Sequence, residues 1–320
     1  MRLQKLLLRC KLKPEKNKMK YAPIVLFVYK RPDETQKVLE ALSANEGAAQ
    51  SELIVYADGP KSDTEKESCE AVRQIVRSCT GFAGVTLYAA EKNRGLANSV
   101  IAGVTETLEK FDRVIVLEDD LVTSKYFLSF MNEALERYAD DDSVCCIHGF
   151  SYPTEYPEIQ YFLRRGADCW GWATWKRGWQ IFEQDSCKLH KEITSRKLQK
   201  LFDRNGAFPY TKMLKDQSDG KIDSWAIRWY ASAFLAEKYT LQSNVMLVEN
   251  IGFGKQATHC SGASQKYQII LSEKKVIFDC NAEKENSRLQ KEHMHFLGLH
   301  RVAFFKRFML KLKKIWQKIF

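Results

Sequence analysis

Arg113-Val-Ile-Val-Leu117 runs without a break into Glu118-Asp119-Asp120, and this stretch decides how the chain is read. The four apolar residues Val114–Leu117, three of them β-branched, are too few for a buried helix and are typical of a strand buried on both faces. Three consecutive acids then stand where that strand must end. Like charges crowded at a strand end repel one another, and burial raises the cost further. A divalent cation relieves both, and hard carboxylate oxygens suit Mg2+ or Mn2+, which also accept diphosphate oxygens. An acidic loop ahead of a helix N-terminus has the same letters, so the position of the triplet carries more weight than its composition.

Upstream, strand and helix signals alternate. Ala22–Tyr29 is a continuous apolar run, Glu52–Ala57 a second strand and Val85–Tyr88 a third. Between them, Pro32-Asp33-Glu34-Thr35 opens a helix to Ser43, its early proline and acids suiting a helix N-terminus. Helices are expected over 64–78 and, after the turn Asn93-Arg94-Gly95, over 96–110. Tyr126–Tyr138 reads as a helix and Val144–Ile147 as a short strand. This order predicts an α/β fold, a mostly parallel central sheet with helices on both faces. Ligands of such sheets bind at the carboxyl ends of the strands. Arg31, Asp58 and the acids 118–120 all fall there. Taken singly, Asp58 is also an ordinary turn residue of Asp-Gly-Pro, and Arg31 an ordinary charge beside a helix.

The 320 residues, 45% hydrophobic and 28% charged, have globular composition. The net charge of +10 is concentrated at the ends. Residues 1–20 hold eight Lys/Arg and one Glu, and residues 301–320 hold seven Lys/Arg and no acid, so the 280 residues between them are slightly acidic. A nucleic-acid binder carries its basic surface on the folded domain, so none is expected as a partner. Basic tails point instead to a membrane or another polyanion. No apolar run approaches the length of a membrane span, and Leu6-Leu7-Leu8 is too short for a signal peptide. The nine cysteines, without a CxxC pair, are expected as reduced thiols of a cytoplasmic protein.

The chain lacks GxxxxGK[ST], a dinucleotide fingerprint (Gly252-Phe253-Gly254 has no third glycine) and a GxSxG elbow. A P-loop ATPase, a hydride-transfer enzyme and a serine hydrolase are therefore unsupported. In the second half Trp170, Trp172, Trp175 and Trp179 crowd together. They are either core or a wall on which sugar C–H faces stack. Ser224–Tyr239 reads as a helix and 250–261 as a glycine-containing loop with His259.

Val114-Ile-Val-Leu-Glu-Asp-Asp-Leu121, followed by Tyr126-Phe127, resembles the metal-binding segment of GT-A glycosyltransferases, in particular the N-acetylglucosaminyltransferase I type. Arg165-Gly-Ala-Asp-Cys-Trp-Gly-Trp-Ala-Thr-Trp175 is similar to that family's acceptor-side segment. The likeness spans roughly 22–260. It implies a GT-A fold, a nucleotide-sugar donor and Mn2+ or Mg2+. Carried over by position, Asp120 would ligate the metal, Asp119 and Glu118 would contact the ribose or donor sugar, and Asp58 would read the uracil edge with Arg31 beside it. Arg94 joins the donor-binding set. Asp223, ahead of Trp225, would be the catalytic base; it is equally a residue of a helix N-terminus. His259 would reach the metal or the diphosphate, or is a surface residue.

The expected organisation is a basic tail (1–20), a nucleotide-sugar-binding half (21–150), an irregular acceptor-side half of the same domain (151–290) and a basic C-terminal amphipathic helix (291–320). At about 100° per residue, Phe305, Phe308, Met309, Leu312, Ile315, Trp316 and Ile319 share one face opposite six Lys/Arg. Such a helix lies on an anionic membrane surface. The expected protein is an inverting transferase at the inner face of a bacterial membrane, using a UDP-sugar and a glycan or lipid-linked acceptor for surface polysaccharide. A sugar nucleotidyltransferase and a non-catalytic carbohydrate-binding protein are the alternatives.

Overall fold

The computed structural model describes residues 21–152, 154–252 and 270–298. Its first half is β1 (Ile24–Val28), α1 (Pro32–Ser43), β2 (Glu52–Ala57), α2 (Lys66–Arg77), β3 (Gly84–Ala89), α3 (Leu96–Lys110), β4 (Arg113–Glu118), β5 (Leu121–Thr123), α4 (Phe127–Arg137) and β6 (Val144–His148). The second half adds β7 (Tyr161–Arg165), β8 (Trp172–Trp175), α5 (Lys176–Trp179), α6 (Ser186–Ser195), α7 (Gln199–Phe202), α8 (Tyr210–Ser218), α9 (Trp225–Leu235), β9 (Tyr239–Ser243), β10 (Val248–Asn250) and β11 (Glu283–Lys284). A helix over 287–298, α10, follows.

One nine-stranded sheet, in the order β11-β7-β9-β6-β8-β4-β1-β2-β3, runs through both halves. β4, β1, β2 and β3 are parallel. β8 lies antiparallel between β4 and β6, which returns β6 to the direction of β4, and β9 is parallel to β6. The carboxyl ends of β1, β2, β3, β4, β6 and β9 therefore share one edge. α9 feeds β9 from the opposite edge, so its first turn opens on the carboxyl edge too.

Strand alternation sorts the core. Ile24, Leu26 and Val28 of β1 pack with Ile115 and Leu117 against α1, α2 and α4. Val25 and Phe27 face the other way with Val114 and Val116, against α3 and α9. Trp172 of β8 is buried on that second face, its ring 5.4 Å from Trp225 and 5.9 Å from Trp229. Trp175 and Trp179 are buried as well. The tryptophan cluster is thus mostly core; only Trp170 is half-buried.

Local chemistry sets the element ends. α1 starts on Pro32 with Asp33 and Glu34 in its first turn. The Ser224 hydroxyl caps α9 by accepting from Ile227 N. Asp185 caps α6 by accepting from Cys187 N and Lys188 N. α10 begins on Asn286, whose side chain accepts from Arg288 N and Leu289 N, and it buries Leu289, His293 and Leu297 against the body. The amphipathic stretch 301–320 and His259 lie outside the described residues. Among the described residues no helix is long and apolar enough to cross a membrane, and the described cysteines are free thiols.

Candidate active site

β4 delivers the three acids. Because Val114 and Val116 face α3 and α9, alternation turns Glu118 to that same face, while Asp119 turns toward α1. Glu118 is the register partner of Phe27 on β1. Arg31, immediately before α1, spans the other two acids: Nη2 lies 3.2 Å from Asp119 Oδ1 and Nη1 lies 3.1 Å from Asp120 Oδ2. Tyr29 N donates to Asp119 Oδ2 at 3.2 Å. Arg31 is itself held, since its carbonyl accepts from Thr35 N at 3.0 Å and Thr35 Oγ1 at 2.7 Å.

The charges among the described residues do not balance. Among the described residues Arg31 is the cation in ion-pair contact with the triplet. Lys30, next to it, is turned to Glu65 instead. Burial, with Asp120 beside it, pushes Asp119 up to about 7, although Arg31 and the Tyr29 N–H oppose this. Burial, then Asp120 and Asp119, drives Glu118 well above the usual carboxylate range. Among the described residues no three His, Cys, Asp or Glu side chains form a closed metal cage. The donor set nevertheless fits Mg2+ or Mn2+, which are normally held by one or two carboxylates with the remaining positions left to water and substrate phosphates.

The wall behind Asp120 comes from far along the chain. β10 pairs antiparallel with β5, and Ile251 N donates to the Asp120 carbonyl at 2.8 Å. A Cβ on Gly252 would run into Asp120 Oδ2 and approach within 3.0 Å of Arg31 Nη1. Gly252 was legible in the sequence only as part of a failed dinucleotide fingerprint. Its role here is close backbone approach.

Asp58 ends β2 and is buried. Its Oδ1 accepts from Gly59 N and Arg94 N, each at 2.8 Å, and its Oδ2 from Gly95 N at 3.0 Å and Asn93 Nδ2 at 2.9 Å. Four protein donors occupy the lone-pair positions a carboxylate offers. In this conformation Asp58 therefore organises the Asn93–Gly95 turn at the start of α3, and no open edge of the carboxylate is left to read a base. The Arg94 side chain lines a cavity of about 270 Å³ with Asp58, Tyr56, Tyr88, Ser99 and Glu106.

Asp223 stands on the carboxyl edge, two residues ahead of Trp225. It is 59% exposed and pairs with Arg228 at 3.2 Å. Described contacts do not join it to the acids 118–120, so edge and helix face are what the two share.

A second polar cluster was not read from the sequence. His148 ends β6; its Nδ1 meets Gln242 Oε1 at 3.0 Å, and its Nε2 accepts from Trp170 N at 3.2 Å. Gln242 spends its own N–H groups on Phe150 O and Ser243 O, so His148 Nδ1 is the donor and the ring is a neutral tautomer. Asp168 pairs with buried Arg164 and accepts from Cys169 N at 3.0 Å. Burial works against the Asp168 charge, but His148, once its ring is protonated at low pH, and Arg164 outweigh it and hold the carboxyl down to about 2. Burial also keeps the His148 pKa below its ordinary value, so at pH 7 Arg164 carries the counter-charge. The signal for this cluster was weak: Asp168 lies in a segment prominent for its tryptophans.

This mixed α/β fold, with acids at the carboxyl end of a central strand, is that of a GT-A nucleotide-sugar transferase. Residues 24–197 match the model of Glycosyl transferase family 2, and the chain belongs to that family. Among solved structures it is similar to the mannosyltransferase PcManGT from Pyrobaculum calidifontis in complex with GDP-Man and Mn2+, at 12% identity and a TM-score of 0.37, over 69% of this chain and 78% of that one. It is also similar to TarS of S. aureus, at 12% identity and a TM-score of 0.37, over 71% of this chain and 36% of TarS.

Proposed function

We propose that the chain is a metal-assisted, inverting glycosyltransferase that moves a sugar from a nucleoside diphosphate, read here as UDP, to a hydroxyl of a glycan or lipid-linked acceptor. The observation that carries this reading is the triplet Glu118-Asp119-Asp120 at the carboxyl end of β4, Asp119 buried and its neighbours half-buried, with one guanidinium among the described residues against three acids. Asp120, with Glu118 and Asp119 beside it, would hold Mn2+ or Mg2+; when bound, such an ion stabilises the negative charge that develops on the departing diphosphate. Arg31 is placed to meet a phosphate as a bidentate donor. Arg94, fixed at the start of α3 by Asp58, presents its side chain beside the nucleoside end of the donor. His259 is a further candidate for the diphosphate side.

Asp223 takes the proton from the acceptor hydroxyl as that oxygen attacks. Its exposure suits an acceptor that arrives from solvent, and Arg228 keeps the carboxylate oriented. One displacement inverts the anomeric centre. Trp170, half-buried and edge-on to Phe150 at 4.8 Å, is the ring we assign to the acceptor side. The narrower kinship to the N-acetylglucosaminyltransferase I type rests on the residues 114–121 and 165–175. An acceptor at a membrane is supported by the basic stretch 301–320.

The test is nucleoside diphosphate release from a panel of nucleotide sugars with Mn2+, with and without excess chelator. A UDP-sugar should be consumed and chelation should stop it. Turnover that continues in chelator would remove the metal from the reading.

A further inference from the structure

We infer that Arg31 is a built-in cationic placeholder: it neutralises the metal-binding carboxylates while the donor is absent and transfers to the donor's diphosphate when metal and nucleotide arrive together. This rests on the metal reading of Asp120 and adds an order of events to it. The geometry is that of a bridge. Two different nitrogens of one guanidinium contact two different acids, 3.2 Å from Asp119 and 3.1 Å from Asp120. The Arg31 side chain is only 19% exposed and that of Asp119 only 6%, so the pair is screened little by solvent.

A guanidinium does not lose its proton in a protein, so it leaves this position only by moving. A divalent ion on Asp120 and Arg31 on the same carboxylate are mutually repulsive neighbours in a poorly screened site. They are alternatives, and the metal has to displace Arg31 from Asp120. The displaced guanidinium then needs an anion. Lys30 already holds Glu65, and Asp119 alone offers Arg31 half of its former bridge. A diphosphate brought in with the metal supplies the missing oxygens in bidentate form. Metal alone therefore competes against Arg31, whereas metal with nucleotide is relieved of that competition. The consequence is positive coupling between the two ligands. It also keeps the site from filling with a bare cation when no donor is present. Gly252 belongs to the device, because any side chain there would crowd Asp120 Oδ2 and Arg31 Nη1 at once.

The experiment measures Mn2+ binding to the full chain by electron paramagnetic resonance, with and without UDP, and needs no turnover. Wild type should bind Mn2+ alone weakly and gain strongly from UDP. Arg31→Gln should bind Mn2+ alone about tenfold tighter, since roughly one charge-assisted contact no longer competes, and its gain from UDP should shrink. Arg31→Lys, whose compact ammonium lacks the planar fork, should shift Mn2+ affinity the same way by less, and it keeps the test available if Arg31→Gln folds poorly. If both variants bind Mn2+ alone no tighter than wild type while Asp120→Ala abolishes binding, the placeholder is wrong and the metal site stands. If wild type takes up no Mn2+ even with UDP, both readings fall.

Discussion

Two charge clusters, each around a buried side chain, face the carboxyl edge of one sheet, and they are built to opposite ends. At the tip of β4, three acids share one arginine among the described residues, and burial drives Glu118 and Asp119 toward the protonated form. Across β8, Asp168 has Arg164, a backbone N–H and His148 beside it, and its carboxyl is held down to about 2. Among the described residues the first cluster is short of positive charge and the second is satisfied. A satisfied buried pair mainly specifies structure, because removing one partner leaves the other charge stranded. A deficient cluster costs stability in the free protein and repays it when a cation binds. On the function proposed above, the difference separates a ligand site from an internal brace without appeal to either motif. Asp223, proposed above as the base, is a third case, an exposed acid paired with Arg228.

The comparison is broken most severely at Asp120. Asp120→Ala should lower turnover by about 10³-fold or more, while the melting temperature stays level or rises, because the substitution relieves crowding among like charges. A large loss of stability would show that the triplet is a brace as well. Next comes Asp168→Ala, which strands Arg164 in the interior. It should destabilise the fold by about 3–5 kcal/mol, the usual cost of removing one partner of a buried ion pair. Denaturant unfolding measures this, and a stability within 1 kcal/mol of wild type would mean Arg164 finds water or another acceptor.

Asp223→Asn should reduce turnover by about 10²-fold with UDP–Mn2+ binding unchanged, since a base acts in the transition state and the donor does not touch it. A turnover near wild type would pass the role of base to another carboxylate. The smallest effect is a pH dependence. Asp168 has a folded pKa of about 2 against an ordinary 3.8. Its contribution to stability is complete above the ordinary value and is lost as pH falls through the folded one. The melting-temperature gap between wild type and Asp168→Asn should therefore be constant at pH 5 and above and narrow between about 4 and about 2. A gap that stays constant to pH 2 would mean that the Asp168 carboxyl is not held below its ordinary range.

The first half of the fold was readable because its signals are local. α1 and α3 occupy the expected 32–43 and 96–110, and β2 the expected 52–57. The helix expected over 126–138 is found at 127–137, and that over 224–239 ends earlier, at Leu235. The second half was read less well for a physical reason. β8 is antiparallel and buried on both faces, so its Trp-Ala-Thr-Trp shows no helical or alternating period. Its tryptophans, with Trp170 and Trp179 on either side, were therefore equally compatible with core and with a sugar-binding wall, and burial decided for core at Trp172, Trp175 and Trp179. β7, β9 and β11 enter the sheet out of chain order, which no local pattern announces.

By itself the sequence determined the α/β alternation and the delivery of three acids to the end of a buried strand. Those depend on side-chain periodicity over a few residues and on strands ending where charge begins. Only the tertiary structure decided that Arg31 bridges Asp119 and Asp120, that Gly252 closes behind them, that Asp58 spends its oxygens on the Asn93–Gly95 turn, and that Asp168 has Arg164 while the triplet goes short. Ion pairing acts over a few ångströms through space, and Arg31 and Asp120 stand 89 positions apart in the chain. Which charge meets which is therefore set by strand order and register.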